Sequence, residues 1–145
     1  MDKRKITSLL LLITGLALSI AFFLKIDFPQ GLETYFKREY YRQFGPLVLS
    51  VELLIASYYL LKGDDKVNFT LALFGFTALL DPVFNQLGLL NSIVPLYGTI
   101  ILLICGLICL WIAFSNTFKL KRLSPIAAIL SGILGAFVEL FFNFP

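Results

Sequence analysis

Residues 77–85 read TALLDPVFN, an aspartate joined to a proline inside an apolar run, flanked by FTLALFGF and QLGLL with no other charge nearby. How this stretch is read decides how many times the chain crosses a membrane. If the helix that opens near Val67 runs on to residue 87, it crosses. If Asp81 and Pro82 close it, VFNQLGLLNS becomes a loop and the next segments change sides. Proline has no N–H to bond the carbonyl four residues back, here that of Ala78, and it disfavours helical geometry at the preceding residue. From Val67 to Leu80, however, a rise of 1.5 Å per residue gives only about 21 Å of helix against a hydrocarbon core of about 30 Å. Length therefore places Asp81 inside the apolar layer rather than at its surface.

Composition sets the class. Apolar residues make up 59% of the chain and charged residues 14%. Soluble domains run at roughly 45–50% and about 25%. Too little polar side-chain surface is left to cover a soluble globule of this size. The expected fold is all-α, an integral membrane bundle of five transmembrane helices forming one domain. The spans fall at about 6–24, 44–61, 67–87, 94–114 and 125–144, each near the roughly 20 apolar residues that a crossing needs. A basic start and the ALS at 17–19 imitate a signal peptide. The apolar run is longer than the 7–15 residues of a signal core, which favours a retained first helix. The last span opens on SPIA, with Ser124 suited to cap and Pro125 suited to the first turn.

Lysine and arginine placement orients the bundle. With five crossings, Lys3, Arg4, Lys5, Lys62, Lys66, Lys119, Lys121 and Arg122 share one side, against Lys25, Lys37, Arg38 and Arg42 on the other, eight to four. The expected location is the inner (cytoplasmic) membrane, multi-pass, with the N-terminus cytoplasmic. Were the third span not to cross, KLKR would change sides and the bias would reverse. In the first outer loop, GLETYFKREYYRQF alternates aromatics with charges at near-helical spacing. Such a composition suits an interfacial amphipathic segment, with Tyr35, Tyr40, Tyr41, Arg38 and Arg42 at the surface or docking a partner.

The chain has no histidine, the usual general base and commonest metal ligand. Cys105 and Cys109 lie four apart within one apolar helix, a setting for small packing residues. No phosphate loop or nucleophile–base pair is legible. No catalytic residue, metal or cofactor is expected, and the net charge of +3, spread over loops, does not suggest nucleic-acid binding.

What remains is three acids, Glu52, Asp81 and Glu139, the only charged side chains in the five spans. Charge in the bilayer is costly, so such residues face the bundle interior and find partners. Helical rise puts Glu52 about 12 Å and Glu139 about 9 Å from the outer surface, a depth at which both can meet Asp81. Thr77, Ala78, Asp81 and Asn85 share one helix face. Ala128, Gly132, Gly135 and Glu139 share another, a stripe of small residues that allows close helix approach. Two readings compete with a joint site: Glu139 lies near enough to an end to be solvated, and Glu52 can pair with Arg38 or Arg42. For a joint proton or cation site, proton binding is the cheaper version, because no basic residue in the spans neutralises three anions.

VELLIASYYLLKG, an acid before an apolar helix that ends in a glycine turn, resembles the second helix of DoxX-like membrane proteins. YYRQFGPLVL and LFGFTALLDPVFN are similar to segments of other small bacterial polytopic membrane proteins. The resemblance covers residues 40–111. It implies a small bacterial inner-membrane protein and carries over no active-site residue. Three functions follow as expectations. The first is an accessory, assembly or oligomeric subunit whose partners are the lipid bilayer and a second copy or another membrane protein. The second is a small proton- or cation-linked transporter or channel. The third is a DoxX-like redox accessory protein, which would carry a bound quinone or pigment.

Overall fold

In the computed structural model, residues 2–143 are described; Met1, Pro145 and the Phe144 that the sequence pattern includes in the fifth span lie outside them. Local signals account for each helix boundary. Helix α1 (Lys3–Phe23) starts where the Asp2 carboxylate accepts the Arg4 N–H at 3.3 Å. The first loop then forms a 3-10 turn (Leu32–Phe36) and a single α-turn, α2 (Arg38–Arg42), rather than one continuous amphipathic helix. Helix α3 (Gly45–Lys62) begins with Pro46, whose missing N–H is harmless in a first turn. It stops at Gly63, which takes the left-handed conformation (φ 71°). The Gly63 and Asp64 N–H groups then turn back onto the Leu60 and Tyr59 carbonyls, satisfying the last turn. The Asp64 side chain accepts the Lys66 N–H at 2.8 Å, and α4 (Val67–Gln86) follows at once.

Helix α4 passes through Asp81 and Pro82 without ending. The expected disfavouring of a helical Asp81 is thus overridden, since the helix walls on either side hold this segment and a proline lacks only one ladder bond. The stop comes six residues later, at Gly88 (φ 74°), where the Gly88 and Leu89 N–H groups return to the Asn85 and Phe84 carbonyls. This repeats the device at Gly63. At 20 residues, α4 is about 30 Å long. Helix α5 (Leu96–Ser115) leads into a loop turned by two left-handed residues, Asn116 and Lys119. Helix α6 (Pro125–Asn143) is capped by Ser124, whose hydroxyl accepts the Ala127 N–H at 3.1 Å.

Five of these helical segments are long and apolar enough to cross a membrane: α1, α2 with α3, α4, α5 and α6. Among the described residues the secondary structure is entirely helical. Helix α4 is the hub, packed against α3, α5 and α6, while α1 covers the outer side of α3. Glycines set the closest crossing. A Cβ on Gly75 would fall 2.9 Å from the Gly106 carbonyl, and one on Gly106 would fall 3.0 Å from Ala78 Cβ, so the α4 and α5 backbones nearly touch. Cys105 and Cys109 are buried and free, on the same side of α5 as Gly106. Helix ends are tied in pairs. Arg4 donates to the Leu60 carbonyl at 2.9 Å at one end, and the Asn91 N–H donates to the Asn143 carbonyl at 3.1 Å at the other. We call the end holding the α3–α4 turn and the α5–α6 loop the basic end, and its opposite the far end.

Candidate functional site

The three acids lie in one layer near the far end. Glu52 is seven residues into α3, Asp81 five residues before the end of α4, and Glu139 four before the end of α6. Helical rise converts these spacings to about 10, 8 and 6 Å from the respective helix ends. Helix α4 stands between α3 and α6, so the acids of three separate helices lie at a common depth around it.

Glu139 is 1% exposed and Asp81 3% exposed, so neither is solvated despite being close to a helix end. The two carboxyls are neighbours in the interior, with Glu52 nearby. Fixed donors surround them only in part. Ser92 Oγ donates to Asp81 Oδ2 at 3.0 Å, and Asn143 Nδ2 donates to Glu139 Oε2 at 3.0 Å. Three buried acceptor oxygens are left without a hydrogen-bond partner: Asp81 Oδ1, Glu52 Oε2 and Asn143 Oδ1. A buried acceptor without a donor is unfavourable by about 1–3 kcal/mol.

Thr77 lies beside Glu52, and its hydroxyl donates to the Leu73 carbonyl at 2.7 Å. Gly135 makes room for this: a Cβ there would lie 3.0 Å from Thr77 Oγ1 and 3.1 Å from Thr77 N. Gly45 makes room in the same way for Asn143, whose Oδ1 would lie 3.0 Å from its Cβ. Among the described residues, no three His, Cys, Asp or Glu side chains converge in a way that could hold a metal ion.

A cavity of about 300 Å³ opens at the far end, between the end of α4 and the start of α5. Asp81, Asn85, Ser92 and Thr99 give it a polar lining. Asn85 is exposed at its mouth, where its side chain accepts the Ser92 N–H at 3.2 Å, so it shapes the loop rather than joining the buried pair. On the other side of the acids Leu53, Leu71 and Phe74 are fully buried, and the buried Ser57 and Ser131 hydroxyls bond carbonyls of their own helices. Asp81 thus has a polar approach from the far end and a close-packed, mostly apolar layer towards the basic end.

The other residues that the sequence singles out separate from this site. The small-residue stripe on α6 splits in two. Gly135 is buried against Thr77 within the chain, whereas Ala128 and Gly132 line an open apolar groove between α4 and α6. Tyr40 is the centre of an aromatic cluster, its ring 4.8 Å from Tyr35, 5.2 Å from Tyr41 and 5.3 Å from Phe44. Tyr35 donates to the Pro29 carbonyl at 2.7 Å, closing the loop on itself. Arg38 donates to the Phe141 carbonyl at 3.2 Å, a cation at the C-terminal end of α6. Arg42 is half-buried just ahead of α3. Two further residues belong to the site that the sequence pattern did not single out. Asn143 lies one turn beyond Glu139 and shares its face, a periodicity that could have found it. Ser92 comes from an irregular loop eleven residues after Asp81, and no periodicity points to it. No family model matches this chain, and neither the curated proteins nor the solved structures contain a match to it.

Proposed function

We propose that this chain is a membrane protein that takes up and releases protons within its bundle, as a small proton-linked transporter, with Asp81 and Glu139 as the proton-holding pair. The observation that carries this reading is the burial of both carboxyls as neighbours in the bundle interior, Asp81 beside a polar cavity and Glu52 nearby. Acids placed inside a spanning bundle at an energetic penalty are what proton relays use. A proton arriving through the polar cavity reaches Asp81 first, then Glu139, and Glu52 lies beyond. In this reading the close packing of Leu53, Leu71 and Phe74 hinders onward passage. Release towards the basic end then needs a rearrangement of helices, which favours alternating access over an open channel. In this reading the eight basic residues of the basic end face the cytoplasm of a cell whose inner membrane holds the protein.

The test is proton flux into liposomes loaded with a pH-sensitive dye under an imposed potential. Asp81→Asn and Glu139→Gln should each abolish flux, and Glu52→Gln should reduce it. Wild-type flux in the Asp81→Asn/Glu139→Gln double variant sinks the proposal.

A second reading, an assembly subunit, draws on the groove between α4 and α6. It has a volume of about 500 Å³ and is lined by Phe76, Leu80, Ala128, Gly132, Ile133 and Ala136. The nearest atom to a Cβ on Gly132 would be Phe76 Cδ2 at 4.0 Å, so this glycine faces space that the chain does not fill. Gly132→Leu should change the size of the detergent-extracted particle; an unchanged size excludes the groove as an interface.

A further inference from the structure

A second cleft lies at the basic end, far from the acids, and differs from the far-end cavity in both charge and shape. It has a volume of about 510 Å³ and opens between α3, the first turns of α4 and α6, and the α5–α6 loop. Lys66, Lys121 and Arg122 stand at its rim, against a single acid, Asp65. Among the described residues, none of these three cations forms an ion pair. Below the rim the walls are apolar and aromatic, chiefly Tyr59 and Phe69 with Ala127.

The rim is held in place from beneath. Asn68, 3% exposed, donates to the Lys121 carbonyl at 2.7 Å and to Asn116 Oδ1 at 3.0 Å. One buried amide therefore pins the main chain that carries Lys121 and Arg122 onto the start of α4. Asn116 and Lys119 take left-handed backbone angles (φ 49° and 53°) to bring the loop back over the cleft.

From this arrangement we infer that the basic-end cleft is a binding site for an anionic phospholipid, its phosphate among Lys66, Lys121 and Arg122 and an acyl chain along Tyr59, Phe69 and Ala127. Charge complementarity selects the sign of the headgroup: three cations against one acid leave an excess of two positive charges. The apolar walls select an amphiphile over a soluble anion, since a free phosphate gains nothing from a hydrocarbon lining. Basic pockets between helices at the cytoplasmic surface recognise lipid headgroups by these same means. The inference shares with the proposed function only the membrane setting, and it stands or falls independently of the acids.

Native mass spectrometry of the detergent-purified protein, titrated with phosphatidylglycerol or phosphatidylcholine, tests it. Phosphatidylglycerol should be retained at least about tenfold more tightly, since each basic residue near a lipid surface contributes about 1 kcal/mol. Lys121→Gln/Arg122→Gln should weaken phosphatidylglycerol roughly 30-fold on the same scale. Lys3→Gln/Lys5→Gln removes the same charge from exposed positions on α1 outside the cleft and should leave binding unchanged. Ala127→Phe fills the apolar wall without altering charge and should also weaken binding. Three results would overturn the inference: equal retention of both lipids, equal losses in the two lysine-containing double variants, or displacement of the lipid by millimolar inorganic phosphate, which would assign the cleft to a soluble anion.

Discussion

Replacing Glu139 by leucine or by glutamine separates a carboxyl that supports the fold from one that serves as an exchangeable proton carrier. Leucine removes the acceptor that Asn143 Nδ2 reaches at 3.0 Å and, on the proposed function, the carboxyl with which buried Asp81 shares a proton. Asn143 keeps the Glu139 main-chain carbonyl at 3.2 Å, so its loss is partial. One fully orphaned oxygen at about 1–3 kcal/mol and one weakened amide give an expected destabilisation of about 2–4 kcal/mol. Glutamine keeps the shape and the acceptor, and its amide offers Asp81 a permanent donor, so stability should stay within about 1 kcal/mol of wild type. Unfolding by SDS titration in mixed micelles, followed by circular dichroism, reads both values. The glutamine variant should remain folded yet carry no proton flux, because an amide cannot release a proton. If the leucine variant is as stable as wild type, or the glutamine variant falls as far as leucine, the reasoning from hydrogen bonds at this site is refuted.

Three further outcomes follow from the geometry. Gly135→Ala should lose about 1–2 kcal/mol, since a Cβ 3.1 Å from the Thr77 main-chain nitrogen outweighs the helix-propensity gain. Gly132→Ala, with its nearest neighbour 4.0 Å away, should be neutral or stabilising by up to about 1 kcal/mol, and unfolding midpoints will rank the two. Gly88→Val should lower the midpoint by about 1–2 kcal/mol because it forces a branched residue into left-handed geometry, whereas Pro82→Ala should hold or raise it. Asn68→Ala releases the loop that carries Lys121 and Arg122, and tryptic cleavage after those residues in detergent should accelerate.

Much of this architecture is written locally and can be read locally. Gly63 and the pair of Ser124 and Pro125 mark helix ends by their own backbone chemistry, and the structure places ends there. Pro82 leaves α4 running on, as the 67–87 span expects, because its missing N–H affects one bond, while Gly88 supplies the left-handed turn that a helix needs in order to stop. Gly88 is no less visible in the sequence, but a lone glycine between leucines looks like any small residue. The common depth of the three acids follows from a fixed rise per residue, which is why it was legible. Which face each acid turns towards its neighbours depends on crossings that no single helix encodes. The Gly75–Gly106 approach and the Gly135–Thr77 contact arise only when two helices are laid together. Ser92 is the extreme case, since its position depends on a loop whose path is set by the helices it joins.

The placement of Asp81 on the hub helix and of Glu139 on the last helix also has a consequence in time. The two residues are 139 − 81 = 58 positions apart in the chain. At about 5–20 residues per second, the ribosome delivers the second acid roughly 3–12 s after the first. Throughout that interval a nascent helix α4 has its aspartate in place and its partner still unmade. The hub helix is therefore synthesised, with its buried acid, seconds before the helix that carries the neighbouring one.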